Sequence, residues 1–237
     1  MPPEARAPLV TVVAPVYRNA PTLAALHQRV AAALETAGAR GQLVFVSDAS
    51  PDDSPAVLRA LAAADPRVEP VLLDANVGQH RAVIEGLRRA RGEAVVVLDA
   101  DLQDPPEAIP ALLAGLREGW DAVFAGRRGR YESAARLATS RAFKRLLHLT
   151  AGVPADAGMF VAMKRPLADR LAACEEPAPF LVAMIGCTGA RTTSIPVERD
   201  RAEGRTSGYT PWMRLRTGLS ALAQVARWRR RLRVHHG

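Results

Sequence analysis

The sequence predicts an α/β fold in which a mostly parallel β-sheet is flanked by helices. Up to Ala125, short β-rich runs alternate with helical stretches, which is the pattern of βαβ units. The run Ala94–Leu98 is apolar throughout, as expected of a strand covered on both faces. Polar residues follow the strand ends, where parallel sheets bind ligands. At 237 residues, the chain is long enough for one domain with a full hydrophobic core.

Each element of the first half is predicted from its local pattern. Strands are expected at Val10–Val16, Leu43–Val46, Val68–Leu73, Ala94–Leu98 and Ala122–Ala125. Helices are expected between them, over Pro21–Thr36, up to about Ala64, over Gln79–Arg91 and up to about Arg117. Ser50, Asp52 and Asp53 are cap-type residues before the second helix. Pro105 and Pro106 open the fourth helix, since proline is tolerated in a first helical turn.

The pattern changes after Arg127. Glu132–Leu149 and Phe180–Gly186 are predicted to be helical, and Met159–Met163 and Thr192–Val197 to be extended. We expect this half of the main domain, which ends near residue 210, to supply the acceptor side of a binding site.

The positive charge is concentrated at the carboxyl end. Residues 201–237 contain nine arginines and one acidic residue, so they carry +8, which equals the net charge of the chain. Such a segment suggests a polyanionic partner or an anionic membrane surface. A nucleic-acid partner is not favoured, because no recognised nucleic-acid-binding motif accompanies the arginines.

An amphipathic helix is predicted within this basic segment. One helical face carries Trp212, Leu215, Leu219, Leu222 and Ala226. We therefore separate residues 211–237, as an amphipathic helix and basic tail, from the main domain at 1–210. Two alternatives remain open for residues 211–233: a peripheral membrane contact, or a helix packed on the domain with a basic end.

No segment predicts secretion or a membrane span. The apolar run Leu9–Val16 is too short, holds Thr11 and Pro15, and lacks a preceding basic region. No later stretch reaches the uncharged length that crosses a bilayer. Cys174 and Cys187 are too few for a zinc site or a disulfide framework, and we interpret them as small buried hydrophobes. We expect a cytoplasmic protein.

The segment with the clearest chemistry is Leu98–Glu107, which reads LDADLQDPPE. Asp99 and Asp101 follow a buried strand at i and i+2. Both can converge on one ion only where the chain leaves the sheet. There they offer hard oxygen ligands to Mg²⁺ or Mn²⁺, which keeps positions open for phosphate oxygens. The alternative is a solvated loop that caps the next helix, and Asp104 before Pro105 fits an N-cap.

Four segments carry a family resemblance. They are Val12–Asn19, Val46–Ser54, Asn76–Ala82 and Asp99–Glu107. In this order and spacing they resemble family 2 glycosyltransferases, in the branch that includes dolichol-phosphate mannose synthase and bacterial polyprenyl-phosphate glycosyltransferases. The likeness covers about residues 9–225. It implies a GT-A fold, which is Rossmann-like, with the catalytic domain at 1–210.

The resemblance assigns roles to these segments. Nucleotide binding would involve Pro15, Val16, Tyr17, Asn19, Asp48, Gly78, Gln79 and Asp99. A metal, Mg²⁺ or Mn²⁺, would be held by Asp99, Asp101 and Gln103. Gly78 would let the backbone approach the nucleotide closely. From the residues alone, Tyr17 is equally well interpreted as a half-buried ring that covers the sheet edge.

Later segments extend the resemblance. Ala125–Arg127 is similar to the family's Gly-x-Arg segment, and Asp156–Phe160 to its Asp-x-Gly-x-Phe segment. The catalytic residues would be Asp99, Asp101, Asp156, Arg127 and Arg201, and the acceptor or a phosphate would be bound by Arg127, Arg199, Arg201, Ser207 and Tyr209. Arginine suits phosphate because its planar fork donates two hydrogen bonds at once. The alternatives are solvated surface arginines and, for Asp156, a turn or cap carboxylate in place of a general base.

Some positions depart from the family pattern. Ser47 stands where the family usually has Asp, and Val161 stands where Arg often follows Phe. The closing segment is one residue longer, so Arg199 and Arg201 are both candidates for the matching arginine. The paired transmembrane helices of many bacterial relatives are absent. These departures concern the acceptor more than the donor.

The resemblance implies a metal-dependent inverting glycosyltransferase. It would move a sugar from a UDP- or GDP-sugar to a polyprenyl or dolichyl phosphate, at the cytosolic face of a membrane. An alternative keeps the donor and uses a soluble small-molecule acceptor. Two further alternatives are a basic nucleic-acid-binding protein and a non-catalytic partner subunit, and the Asp99/Asp101 pair argues against the second.

Overall fold

The computed structural model describes residues 7–128, 148, 151–173, 175 and 179–198, with backbone alone at Arg127 and Arg128. Several predicted features lie outside these residues. They are the helix at 132–149 apart from His148, the helix and tail at 211–237, and Cys174.

The described residues form strands and helices in the predicted succession. Strands β1 to β7 span Leu9–Val16, Arg40–Asp48, Val68–Leu73, Ala94–Val97, Ala122–Arg128, Val161–Lys164 and Thr192–Glu198. Helices α1 to α6 span Ala20–Thr36, Ser54–Ala64, Gln79–Arg89, Ile109–Arg117, Arg165–Ala172 and Leu181–Cys187. A short 3₁₀ turn at Pro106–Ala108 precedes α4. Helix α5 is the described helix that the sequence pattern did not predict.

The strands form one seven-stranded sheet in the order β3-β2-β1-β4-β6-β5-β7. Strand β6 is antiparallel to β4 and β5, and the other pairs are parallel. The predicted mostly parallel sheet is therefore confirmed, and β6 makes it a mixed sheet. From β1 the chain adds β2 and β3 on one side and β4 on the other, so the order reverses between β1 and β4. Sheets of this kind bind ligands at such a reversal, outside the carboxyl ends of the strands.

Both faces of the sheet are covered. Val12 packs into one apolar cluster with residues of α1 and α4, and Val13 into a second with residues of α3, α5 and α6. Neighbouring residues face opposite ways because strand side chains alternate in direction. This explains why β4 is apolar at every position, and β1 at every position but Thr11, so that neither strand alternates with polar residues.

Helix α3 approaches β1 closely through Gly86. A Cβ at this position would overlap the Val13 side chain and lie 3.1 Å from Val46 Cγ2. The glycine therefore sets the distance between helix and sheet, although glycine lowers helix propensity. This packing fixes the position of the first turn of α3, which lies at the ligand-binding edge.

A buried polar cluster ties the opposite edge of the sheet together. Thr11 Oγ1 donates to Gln42 Oε1 at 2.7 Å, and the backbone N–H of Gly92 donates to Thr11 Oγ1 at 2.8 Å. Gln42 Nε2 donates to the carbonyl oxygen of Arg89 at 2.9 Å. Buried polar groups need such partners, and these bonds join β1, β2 and the α3–β4 loop.

Among the described residues, no helix is long and apolar enough to span a bilayer.

Candidate active site

The predicted site residues meet at one edge of the sheet. Strands β1, β2 and β4 run parallel, so the residues after Val16 and Val97 leave the sheet at the same edge as Asp48. Strand β6 runs the other way and pairs Val161 with Val97, so the segment that contains Asp156 enters at this edge. The fold thus brings together the motifs that follow β1, β2 and β4 and the segment that contains Asp156.

The turn after β1 presents one exposed ring. Pro15 and Val16 are buried in β1. Tyr17 is 45% exposed, and the Arg18 guanidinium carbon lies 5.5 Å from its ring centroid. Asn19 is buried, and its Oδ1 accepts a hydrogen bond from the Tyr17 N–H at 2.9 Å. Tyr17 therefore offers a surface for stacking, and Asn19 shapes the turn that holds it.

Asp48 organises the loop before α3. The Val77 N–H donates to Asp48 Oδ1 at 2.6 Å, and the Gly78 N–H donates to Oδ2 at 2.9 Å. Asn76 Nδ2 donates to the Asp48 carbonyl oxygen at 3.1 Å. Gly78 has a φ of 86°, a conformation that favours glycine. Both carboxylate oxygens of Asp48 thus bind backbone, and its predicted contact with a nucleotide stays a prediction.

Asp52 joins the β1–α1 and β2–α2 turns. Its carboxylate accepts hydrogen bonds from the Ser50 hydroxyl at 2.7 Å, from the Ala20 N–H at 3.0 Å and from the Ser54 N–H at 3.1 Å. Burial raises the pKa of Asp52, but bonds from Ser50, Ser54 and Ala20 outweigh it and hold the pKa well below its usual range. The carboxylate is therefore ionised, and it fixes two site loops against each other. Asp53, at the N-cap position, makes no side-chain capping bond.

Backbone strain is concentrated at the same edge. Among the described residues, the non-glycine positions with positive φ are Arg18 at 58°, Ala49 at 47° and Leu102 at 62°. They follow β1, β2 and β4, respectively. Such conformations cost about 1–3 kcal/mol and persist where the surrounding structure enforces them, which is common at functional sites.

The carboxylate pair lies where β4 leaves the sheet. Asp99 and Asp101 are both partly buried. Gln79 Nε2 donates to Asp99 Oδ1 at 2.5 Å, and the Gln103 N–H donates to Asp101 Oδ1 at 3.1 Å. The first bond links the carboxylate pair to the loop that Asp48 orders. The second forms a local turn around Leu102.

The oxygen atoms that the side chains of this turn offer are of the kinds that bind a divalent cation. Two carboxylates and the Gln103 amide are hard oxygen ligands, which Mg²⁺ and Mn²⁺ accept. In the part of the chain that is described, no three His, Cys, Asp or Glu side chains are grouped so that they could hold a metal. Magnesium is commonly held by one or two carboxylates together with substrate phosphates. The residue types at this turn are therefore those expected for a cation whose coordination a bound diphosphate completes.

Asp156 lies against the end of β5. A Cβ on Gly126 would overlap the Asp156 carboxylate and lie 3.2 Å from the Ile195 carbonyl oxygen. Glycine at 126 therefore makes room for this carboxylate. The Arg127 backbone continues β5 and pairs with Val197. The other predicted acceptor residues lie outside the described residues: Arg199, Arg201, Ser207 and Tyr209.

Sequence reasoning missed the hydroxyl groups that connect these loops. Thr22 Oγ1 donates to the Ala100 carbonyl oxygen at 2.7 Å, and the Asn19 N–H donates to Ser54 Oγ at 3.2 Å. Short polar residues near helix starts were the available signal. Their partners lie more than 30 positions away along the chain, so local patterns do not identify them.

His80 is an unusual group beside the site. It lies in the first turn of α3, and its ring contacts Phe180 edge-on, with centroids 4.9 Å apart. Its Nδ1 is enclosed and has no hydrogen-bond partner among the described residues. Burial lowers the pKa of His80 to about 4, so the ring is neutral at physiological pH.

Comparison with known proteins assigns the family. The model of glycosyl transferase family 2 matches residues 11–171. The chain belongs to this family. Over 209 residues, the chain is 36% identical to a protein from Salmonella paratyphi A. That relative is an undecaprenyl-phosphate 4-deoxy-4-formamido-L-arabinose transferase. That alignment covers 87% of the chain and 64% of the relative, so the chain spans less than two thirds of the relative's length.

Solved structures confirm the GT-A fold. One is a mannosyltransferase from Pyrobaculum calidifontis in complex with GDP-mannose and Mn²⁺, with a TM-score of 0.67 and 24% sequence identity. The superposition covers 94% of this chain and 65% of the mannosyltransferase chain. Another is a glucosyl-3-phosphoglycerate synthase from Mycobacterium tuberculosis with Mn²⁺, UDP and phosphoglyceric acid, with a TM-score of 0.66 and 18% sequence identity. The superposition covers 93% of this chain and 78% of the synthase chain. The predicted family resemblance and the predicted fold are thus both confirmed.

The close approach of Gly126 and Asp156 makes a first prediction. Gly126→Ala is expected to displace the Asp156 carboxylate. Under the transfer reaction proposed below, it should lower sugar transfer to a hydroxyl acceptor roughly 10- to 100-fold, since small misplacements at a reacting site have effects of this size. The melting temperature should change little, because the displaced group is the end of a side chain. A double-mutant cycle with Asp156→Ala provides the control. If Gly126→Ala remains as harmful in the Asp156→Ala background, displacement of this carboxylate is not the cause.

His80 makes a second prediction, for stability against pH. With a pKa of 6.5 in the unfolded chain and about 4 in the fold, His80 is protonated in this interval only when the chain unfolds. The contribution to stability is therefore full above pH 6.5 and is lost as the pH falls towards 4. We expect the melting temperature to fall less between pH 7 and pH 5 in His80→Leu than in the unchanged protein. Parallel melting curves in the two proteins would contradict this account.

Proposed function

We propose that this chain is the catalytic part of a metal-dependent inverting glycosyltransferase that moves a sugar from a UDP- or GDP-sugar to a polyprenyl phosphate. One observation carries the proposal. Asp99 and Asp101 lie at the strand-order reversal between β1 and β4, on the edge that also presents the exposed Tyr17 ring. The name of the Salmonella relative, an undecaprenyl-phosphate transferase, supports the acceptor class.

The nucleotide sugar would bind across the carboxyl ends of β1 and β2. The Tyr17 ring offers a face on which a nucleoside base can stack. The backbone at Gly78 allows close approach, and Asp48 keeps that loop in place. Bound at Asp99 and Asp101, a divalent cation would neutralise the charge that develops on the departing nucleoside diphosphate. The Pyrobaculum and Mycobacterium structures, which hold GDP-mannose or UDP with Mn²⁺, support this donor class.

The transfer step is a single displacement at the anomeric carbon. A bond forms from an acceptor oxygen to that carbon, the bond to the donor phosphate oxygen breaks, and the nucleoside diphosphate leaves with the electron pair. The protein's contribution is to align the two oxygens in line. A phosphate monoester has a second pKa near 6, so a polyprenyl phosphate needs no base. With a hydroxyl acceptor, Asp156 would take the proton.

The acceptor side of the proposal involves the second half of the chain. Its phosphate would be bound by Arg127, Arg199, Arg201, Ser207 and Tyr209. Arginines suit a phosphate because each donates paired hydrogen bonds. Residues 211–233, basic and amphipathic, would hold the protein at the cytosolic face of a membrane, where the lipid phosphate is presented.

A third prediction tests the donor site. Mn²⁺ with one nucleotide class, UDP or GDP, is expected to raise the melting temperature, because a ligand that binds the fold alone stabilises it. The gain should depend on the metal and disappear in Asp101→Ala. Glu118→Ala, which removes an exposed carboxylate at the end of α4, is the matched control and should keep the gain. A metal-independent gain that survives Asp101→Ala would contradict the proposed cation site.

A fourth prediction tests the acceptor. With a radiolabelled nucleotide sugar and undecaprenyl phosphate in detergent, the label is expected to move into the organic phase on butanol extraction. Mild acid should then release it, because a glycosyl phosphate is acid-labile. Asp101→Ala is the inactive control. If label transfers only to water-soluble acceptors such as phosphoglyceric acid, the lipid acceptor is wrong, and the soluble-acceptor alternative stands.

A further inference from the structure

We propose that Thr22, in the first turn of α1, is a positioning residue that holds the turn from Asp99 to Asp101 in the conformation that binds a divalent cation. The inference rests on the proposed function, because the cation site is part of that proposal. Thr22 lies in a different element from the carboxylates and contacts the turn between them.

The Thr22 hydroxyl has one proton to donate, and the geometry directs it to Ala100. Oγ1 lies 2.7 Å from the Ala100 carbonyl oxygen and 2.9 Å from the Asn19 carbonyl oxygen. The Asn19 carbonyl already accepts a hydrogen bond from the Thr22 backbone N–H at 2.9 Å. A threonine hydroxyl is a single donor. The proton is therefore assigned to the shorter contact, with Ala100.

Ala100 is the residue that decides whether the two carboxylates converge. Side chains at i and i+2 share a face on a regular strand, but here the chain leaves the sheet between them. The Ala100 C=O and the Asp101 N–H belong to one planar peptide group. When Thr22 fixes that carbonyl, it therefore also fixes the direction in which the Asp101 backbone starts.

The two ends of the turn are held by other contacts. Gln79 Nε2 binds Asp99 Oδ1 at 2.5 Å, and the Gln103 N–H binds Asp101 Oδ1 at 3.1 Å. Leu102 keeps a left-handed φ of 62°. These contacts constrain each carboxylate separately. The bond from Thr22 acts at the peptide between them, so it sets the distance and angle of one carboxylate relative to the other.

Loss of the hydroxyl would leave a buried carbonyl without its donor, since Ala100 is 3% exposed. The peptide would then rotate towards another donor, which costs free energy and moves Asp101 relative to Asp99. Small octahedral cations tolerate little displacement of their ligands. Groups that orient metal ligands typically change metal affinity about 10- to 100-fold. Nucleotide contacts at Tyr17 and Gly78 do not depend on this peptide.

The test is a titration with Mn²⁺ in the presence of UDP and, in parallel, of GDP. Electron paramagnetic resonance measures the free Mn²⁺ and so gives the affinity. We expect Thr22→Val and Thr22→Ala to weaken Mn²⁺ binding about tenfold, and Thr22→Ser, which keeps the hydroxyl, to bind within about twofold of the unchanged protein. Thr36→Val is the matched control. Thr36 lies in the same helix, is exposed, and its hydroxyl donates to Ala32 O within the helix at 2.9 Å.

A purely structural role would give a different result. If Thr22→Val and Thr22→Ala lower the melting temperature but bind Mn²⁺ as Thr22→Ser does, the inference is overturned. If Thr22→Val does not fold, the comparison of Ser with Ala still isolates the hydroxyl. Nucleotide affinity without metal should be equal in all variants, and a loss there would also overturn the inference.

The titration separates this inference from the proposed function. If the unchanged protein binds Mn²⁺ and Asp101→Ala abolishes binding, the cation site stands, and the Thr22 variants decide the inference alone. If the unchanged protein binds no Mn²⁺ with either nucleotide, the proposed cation site fails, and the assignment of Thr22 fails with it.

Discussion

The parallel alignment of β1, β2 and β4 is the constraint on which the site depends. Because these strands run in one direction, the turns that follow them meet at one edge, and the strand order reverses there between β1 and β4. Backbone groups at such an edge are not used by the sheet and are available to a ligand. An exposed ring, a glycine with positive φ and two carboxylates therefore meet there, although they lie far apart along the chain.

Hydrogen bonds between turns keep this edge in one conformation. Asp52 accepts from both the β1–α1 and the β2–α2 turns, Asp48 accepts from the loop before α3, and Gln79 joins that loop to Asp99. Because Asp52 is ionised, its bonds are stronger than those to a neutral acceptor. The carboxylates thus divide into two groups. Asp48 and Asp52 organise backbone, and Asp99 and Asp101 are the carboxylates proposed to bind the cation.

Two departures from the family pattern, Ser47 and Val161, lie in different surroundings. Ser47 replaces the usual Asp, and its hydroxyl is enclosed, with no hydrogen-bond partner among the described residues. The end of β2 therefore depends on Asp48 alone for its carboxylate. Val161 begins β6 and is fully buried against the sheet, where an arginine would need a partner for its charge. The turn after β4 keeps the Asp99/Asp101 pair of the family pattern.

Local pattern in the sequence determined the order of strands and helices, the family, and the position of Asp99 and Asp101 at a strand end. These features depend on apolar periodicity and on motif spacing, which are properties of neighbouring residues. Only the tertiary structure decided that β6 is antiparallel, that α5 forms, that Asp48 binds the Val77 and Gly78 amides, and that Thr22 reaches Ala100. The Asp48 and Thr22 bonds join groups about 30 to 80 positions apart, and the packing of the sheet, not a local pattern, brings such groups together.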